Sequence, residues 1–96
     1  MQTVILKEVS SQVQQNDEFI ILDTAINSVT AELPDARTCQ GKVYSILALN
    51  INSTPTIQGT QDIGRQGSSF EFQVAGETLT IVSNGASWEI LSHYTP

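Results

Sequence analysis

The sequence predicts an all-β fold, a compact antiparallel β-sandwich or barrel-like module, in a single domain that spans residues 1–96. Three observations support this prediction. β-Branched Val, Ile and Thr recur along the whole chain, and these residues favour the half-buried surface of a sheet. Apolar and polar residues alternate over short runs, as in 28–33 and 70–74. Turn residues separate these runs at intervals of about ten residues, as in sandwiches and barrels.

The alternation and the turn residues define the predicted strands. Their ranges are 3–9, 18–24, 28–33, 42–51, 55–58, 69–75, 78–83 and 87–92. The polar segment 9–17 is compatible with a loop or with one short helical turn. Asn84-Gly85 is the strongest hairpin signal in the chain. A two-residue type I′ turn needs positive φ at both central positions, and these two residue types tolerate it.

The segment 43–51 is apolar on both of its expected faces. A strand of this kind is typically covered on both sides, so we expect it to be central in a sheet or to lie at a subunit interface. The candidate interface residues are Val43, Tyr44, Ile46, Leu47, Leu49 and Ile51.

Four residues are assigned structural roles: Gly41, Asn84, Gly85 and Trp88. Trp88 follows the predicted turn and shares a strand face with Ile90, so we expect it to fill the core. Residues 1–23 contain fewer turn-forming residues than the rest of the chain. We interpret them as an N-terminal arm or an edge hairpin, with an ordinary edge strand as the alternative.

Composition excludes several classes of partner. The formal net charge is -6, and the four basic residues are scattered singly. Binding to phosphates needs clustered Lys and Arg, so neither nucleic acid nor an anionic membrane surface is an expected partner. The chain is 40% hydrophobic and 15% charged, which is typical of a folded domain.

The lone cysteine, Cys39, excludes an intrachain disulfide, as in proteins made in a reducing cytosol. The N-terminal residues lack the basic and small-residue features of a secretory signal. The sequence also lacks a run of about eighteen apolar residues, the length that crosses a membrane as a helix.

The residues that carry catalysis or bind cofactors do not form recognisable patterns. His93 is the one histidine and lies near the C-terminus, without an adjacent nucleophile. The carboxylates show neither zinc-site nor calcium-loop spacing. The glycines of 59–66 lack the Lys-Ser/Thr of a phosphate loop. We therefore predict that the protein is not an enzyme and has no catalytic residues, no metal and no cofactor. The candidates for a sugar-stacking platform are Trp88, Tyr44, Phe70 and Phe72, with core packing as the alternative.

The chain resembles a β-module of bacteriophage structural proteins. The C-terminal half of the pattern begins with Thr-Ile-Gln-Gly at residues 56–59. In residues 76–91 a strand then ends in Asn-Gly, and a Trp and two aliphatic residues follow. The earlier half of the pattern is an alternating strand that ends in Leu-Pro, 29–36, then Gly-Lys and an aromatic-aliphatic strand, 41–46. The resemblance covers roughly residues 24–91.

Modules of this kind occur in tail fibres, tailspikes and capsid decoration proteins. The resemblance implies an all-β unit that trimerises and has no catalytic residues. Because the module fills nearly the whole chain, we expect a capsid decoration (cement) protein, a homotrimer that stabilises the capsid shell. Its partners are then copies of itself and the major capsid protein or another virion protein. Its location is the virion, after assembly in the host cytoplasm. The alternative is a small tail, baseplate or fibre component, including a receptor- or glycan-binding module.

Overall fold

The computed structural model describes residues 4–7, 11–12, 19–24, 29–64 and 67–96. Within these ranges the chain forms nine strands and one 3-10 turn, Ala36–Thr38, so the all-β prediction is confirmed. The strands are β1 Val4–Lys7, β2 Ser11–Gln12, β3 Phe19–Leu22, β4 Thr30–Glu32, β5 Val43–Ala48, β6 Thr56–Gln58, β7 Ser69–Glu71, β8 Thr78–Ser83 and β9 Trp88–Tyr94.

The strands form two mixed sheets that share one hydrophobic core. The five-stranded sheet has the order β1-β3-β5-β8-β9, and the four-stranded sheet has the order β2-β4-β6-β7. The strands β3 to β8 bury alternate residues, because successive side chains of a strand point to opposite faces. In β8, for example, Leu79 and Ile81 are fully buried, whereas the residues between them are only partly buried.

The expected antiparallel arrangement is wrong for most of the sheet contacts. β1-β3, β3-β5, β2-β4 and β4-β6 are parallel. Only β5-β8, β6-β7 and β8-β9 are antiparallel among the described strands. The first six strands alternate between the two sheets, so the chain returns to each sheet in the same direction. Period-two alternation is the same in half-buried strands of either orientation, which is why the sequence pattern did not distinguish them.

Two successive passes of the chain are stacked with a constant offset of 26 residues. Phe19 lies opposite Ser45 in one sheet, and Thr30 lies opposite Thr56 in the other. The same offset relates Thr24 to Asn50, whose Oδ1 accepts hydrogen bonds from the Thr24 backbone N–H and Oγ1 at 2.9 and 2.7 Å. The strands β3-β4 and β5-β6 are therefore equivalent structural repeats.

The predicted hairpin is present, but its turn is longer than expected. Ser83 pairs with Trp88, so four residues connect β8 to β9 rather than two. The Asn84 side chain closes this loop, since its Oδ1 accepts the backbone N–H groups of Ala86 and Ser87, both at 2.8 Å. Gly85 has a φ of 90°. The type I′ assignment is wrong because the Asn84 side chain, rather than a tight backbone turn, satisfies these N–H groups.

The N-terminal region supplies edge strands. β1 pairs in parallel with β3, so these two strands lie side by side and do not form a hairpin with each other. β2 falls within the polar segment 9–17, where we expected a loop or a helical turn, and pairs with β4. The other residues of that segment lie outside the described residues.

Candidate functional site

The solvent-facing side of the five-stranded sheet, which we call the outer face, is the candidate functional site. The strand register places its residues in rows of cross-strand partners. The rows are Phe19–Ser45–Thr80–Ser92, Ile21–Leu47–Thr78–Tyr94 and Val43–Val82–Glu89.

The outer face exposes apolar side chains of a kind that usually lie inside a protein. Val43 is 40% exposed, Leu49 beyond the end of β5 is 50% exposed, and Tyr94 is 62% exposed. Phe19 and Ile21 are partly buried on the same side of β3. Contiguous exposed apolar residues mark interaction surfaces more often than isolated ones do.

The outer face is almost free of charge, although the chain has a net charge of -6. Among the described residues in its three rows, Glu89 is the only charged one, and it lies in the last row. There the Glu89 carboxylate accepts a hydrogen bond from Asn84 Nδ2 at 3.1 Å. A charge-free centre allows the face to lose water without the high cost of desolvating an ion.

The opposite side of the protein has a different character. The solvent-facing rows of the four-stranded sheet are Thr30–Thr56–Glu71 and Glu32–Gln58–Ser69. Every residue in these rows is polar, and two are carboxylates. The two sheets thus present a polar, acidic surface on one side and, on the other, a surface of apolar and hydroxyl side chains whose charge is confined to Glu89 in its last row.

The structure separates the six predicted interface residues into two groups. Tyr44 and Ile46 are fully buried in the core of the chain itself, so neither is accessible to a second subunit. The others, Val43, Leu47, Leu49 and Ile51, are exposed or partly buried. β5 is central in its sheet, but only its inner face is covered within the chain.

Trp88 lies in the core, with 1% of its surface exposed. Its ring is tilted against that of Tyr44, with the centroids 5.5 Å apart. Its backbone N–H donates to Asp62 O, and its carbonyl oxygen accepts from Gly64 N–H, each at 2.9 Å. Both rings are therefore packing elements, and neither offers a free face to a sugar.

The other predicted structural residues hold the ends of strands. Gly41 N–H donates to the Ser83 carbonyl oxygen at 2.9 Å, which ties the loop before β5 to the end of β8. Gly85 N–H donates to Ser83 Oγ at 3.2 Å. Ser83 Oγ in turn donates to the Ala36 carbonyl oxygen at 2.5 Å. Ser83 is a buried polar residue that joins three segments, and sequence reasoning missed it.

Glu77 and His93 form an acid–base pair at the edge of the core. The Glu77 side chain is 4% exposed and makes an ion pair with His93 Nε2. Its Oε1 also accepts the backbone N–H groups of Gln73 at 2.6 Å and Val74 at 3.2 Å. Burial acts to raise the pKa of Glu77, but the hydrogen bonds from His93 and from these N–H groups outweigh it, so the pKa is lowered.

Asp35 and Arg37 form the second charged pair, on the surface at the 3-10 turn. Asp35 Oδ1 accepts the backbone N–H of Arg37 at 2.9 Å, and the two side chains form a bidentate contact. Hydrogen bonds from Arg37 lower the pKa of Asp35 to about 2. Gln61 Nε2 also donates to Asp35 at 2.9 Å. This pair caps the turn and shows no arrangement for catalysis.

Cys39, near this turn, is partly buried, and burial raises the pKa of its thiol. A thiol held in its neutral form is a weak nucleophile. Within the described ranges, His, Cys, Asp and Glu side chains nowhere form the group of three that a metal site requires. The described part of the chain also has no helix with the length and hydrophobicity to cross a membrane.

Neither the protein-family models nor the curated proteins include a match to this chain.

Proposed function

We propose that this protein is a bacteriophage virion structural protein, a capsid decoration (cement) protein that assembles as a homotrimer and stabilises the capsid shell. The observation that carries the proposal is the outer face, which exposes apolar side chains and has no charged residue in its two central rows. The resemblance of residues 24–91 to phage β-modules supplies the class of particle.

The outer face suits contact with another copy of the chain. A chain with a net charge of -6 repels its own copies wherever their carboxylates meet. The outer face avoids this repulsion because its two central rows contain no charged residue. Burial of apolar surface contributes about 25 cal/mol per Å². Three copies that turn their outer faces toward a threefold axis would each contact both neighbours, which closes the assembly.

The acidic face of the four-stranded sheet then points away from the axis. Its carboxylates, Glu32 and Glu71, keep trimers apart in solution. This leaves the polar side and the loops for contact with the major capsid protein or another virion protein. No catalytic residues are part of the proposal.

The alternative is a small tail, baseplate or fibre component, which would use the same outer face for self-assembly. A receptor- or glycan-binding module needs an exposed aromatic platform. Trp88 and Tyr44 are both buried, and Tyr94 is the one aromatic side chain among the described residues that is largely exposed. A single ring does not form a platform, so the described residues favour an architectural role over this one.

The location of the protein in the particle tests the proposal. Intact virions from the source of the gene are labelled with a gold-conjugated antibody against the chain and imaged by electron microscopy. Label distributed over the capsid supports a decoration protein. Label confined to the tail supports the alternative, and virions without label at either place contradict both.

A second measurement tests the stabilising role. Capsids assembled without the protein are heated with and without purified protein added in excess. A decoration protein raises the temperature at which the shells release their contents, because a ligand that binds only the intact shell stabilises it. An unchanged release temperature would contradict the proposed role.

A further inference from the structure

The C-terminal half of β9 pairs with β8 through its backbone, and the His93 side chain adds a contact to the core. Leu79 is the cross-strand partner of His93 and is fully buried, so the His93 ring lies on the inner side of the five-stranded sheet. There it meets Phe70 of the other sheet, with ring centroids 5.3 Å apart and an interplanar angle of 84°. His93 therefore joins the edge strands of the two sheets, β9 and β7.

The Glu77 carboxylate, which contacts His93, also accepts hydrogen bonds from the backbone. Glu77 accepts two backbone N–H groups through Oε1, and His93 Nε2 contacts Oε2. The Glu77 side chain is 4% exposed, whereas that of His93 is 39% exposed. Solvent can therefore reach the His93 imidazole, whereas the Glu77 carboxylate is buried and held by its hydrogen bonds.

The surroundings of the pair carry no other charge among the described contacts. The neighbouring elements present Phe70 from β7, Gln73 and Val74 from the following loop, and Leu79 from β8. The adjacent titratable residues on the two edge strands are Glu71 and Tyr94. Strand alternation places Glu71 on the opposite side from Phe70 and Tyr94 on the opposite side from His93.

The pair contains the one histidine of the chain. Histidine is the side chain whose ordinary charge change falls between pH 5 and 8. Burial raises the pKa of the Cys39 thiol, which keeps that group neutral in this range.

We propose that the Glu77–His93 pair is a pH-sensitive contact that fixes residues 92–96 to the core when the imidazole is protonated and loosens them as it loses its proton. A neutral imidazole still donates one hydrogen bond from Nε2 but no longer supplies a charge. Hydrogen bonds between charged groups are roughly twice as strong as neutral ones, so the contact weakens without disappearing. The proposal rests on contacts within one chain, and Ser92 and Tyr94 of the same segment also lie in the rows of the outer face.

The direction of the effect follows from the charge on the contact. A protonated imidazole makes a charge-assisted hydrogen bond to the buried Glu77 carboxylate, and a neutral imidazole makes a weaker one. Raising the pH from 5.5 to 8 therefore shifts the equilibrium toward detachment of 92–96. Detachment would uncover Phe70 and Leu79, which line the edge of the core.

Amide hydrogen exchange measured by NMR tests the proposal. Protection factors, which correct for the pH dependence of intrinsic exchange, are compared at pH 5.5 and pH 8. We expect protection in the paired segments 92–94 and 78–80 to fall by about threefold to tenfold, as for a local opening near a strand end. The amides of Tyr44 and Ile46 in β5 serve as internal references and should not change.

Two variants complete the test. His93→Gln, at a half-exposed position, removes the titration and should abolish the pH dependence, while the fluorescence of buried Trp88 reports that the chain is folded. Glu71→Gln removes an exposed carboxylate from β7 and should leave the dependence intact. Equal protection at both pH values in the natural chain, or the same fall in His93→Gln, would overturn the proposal.

Discussion

Ser45 Oγ and Thr80 Oγ1 lie 3.3 Å apart across β5 and β8, within hydrogen-bonding distance and in the middle of the outer face. One of the two hydroxyl groups donates to the other within the chain. A polar group that already has a partner can be buried at little cost, whereas one left without a partner costs about 1–3 kcal/mol. The contact between Ser45 and Thr80 therefore lowers the cost of burying the centre of the outer face against another subunit.

A charge placed on the outer face should separate the subunits. Val43 is 40% exposed there and has Val82 as its cross-strand partner. In a trimer, Val43→Asp would bury an unpaired carboxylate, which costs several kcal/mol unless the subunits part. We expect the variant to be a monomer by light scattering at a concentration where the natural chain is associated.

Thr56→Asp is the matched control for this variant. It places the same charge on the outer side of the four-stranded sheet, in the row that contains Glu71. This variant should keep the mass of the natural protein. If both variants dissociate, charge in general rather than the outer face controls assembly, and the assignment of the interface fails.

Removal of the Trp88 side chain should destabilise the fold. The ring is the largest of the fully buried side chains and packs on Tyr44. Trp88→Ala should lower the free energy of unfolding by about 3–5 kcal/mol, as for other large aromatic residues removed from a core. Chemical denaturation followed by circular dichroism measures this loss.

Leu91→Ala provides a comparison on the same strand, because Leu91 is 59% exposed. Its cost should stay below about 0.5 kcal/mol, the usual range for surface substitutions. A Trp88→Ala variant with the stability and oligomeric state of the natural chain would show that the ring is not part of the core. It would also make the receptor-binding alternative the stronger one.

A β-branched residue at Gly85 should strain the β8–β9 loop. Gly85 has a φ of 90°, and a Cβ there would lie 3.1 Å from the Gln40 side chain. Gly85→Val should therefore cost about 1–2 kcal/mol, since a β-branched residue rarely adopts positive φ. Thermal unfolding is compared with that of Ala86→Val, an exposed neighbour in the same loop, which should change the melting temperature little.

Acid should destabilise the protein through its two lowered carboxyl pKa values. The pKa of Glu77 lies below the ordinary glutamate value of 4.5. The pKa of Asp35 is lowered from the ordinary aspartate value of 3.8 to about 2. Such groups stabilise the fold above their ordinary pKa, and this stabilisation is lost as the pH falls toward the folded-state pKa. The urea midpoint should therefore fall between pH 5 and pH 3.

Glu77→Gln isolates the contribution of the buried carboxylate. The variant should be less stable than the natural chain at pH 5 and should lose less stability between pH 5 and pH 3. Glu71→Gln removes an exposed carboxylate and should lose as much stability between pH 5 and pH 3 as the natural chain does. Identical acid profiles for Glu77→Gln and the natural chain would contradict the assigned role of Glu77.

The sequence predicted most of the strands, because half-buried strands impose an alternation of apolar and polar residues that can be read from the order of the residues. β8 was predicted with its observed bounds, 78–83, and β6 to within one residue. β2 was missed because it is two residues long and polar, so no alternation exists to detect. Its pairing partner, β4, lies far away in the sequence and carries no local signal.

The stacking of repeats could not be predicted either. Positions 26 residues apart share a place in the fold, but only some of them share a residue. Ile20 and Ile46 are identical, as are Thr30 and Thr56. By contrast, Leu22 lies opposite Ala48 and Phe19 opposite Ser45. Packing constrains size and polarity at each position only loosely, so the repeat is a property of the backbone rather than of the sequence.

The candidate site was predicted in part. The two-faced character of 43–51 identified β5 as unusual, but the pattern did not show which face the chain covers by itself. Tyr44 and Ile46 pack inward, while Val43 and Leu49 remain exposed. The Glu77–His93 pair was not predicted, because its two members are 16 positions apart and meet only through the β8–β9 pairing.

The most direct test of the central claim is the mass of the purified chain in solution. Size-exclusion chromatography with multi-angle light scattering, at micromolar concentration and near-physiological salt, gives this mass without a standard. The account predicts three times the 10.4 kDa mass of one chain. A mass of 10.4 kDa that persists as the concentration rises would contradict assembly through the outer face.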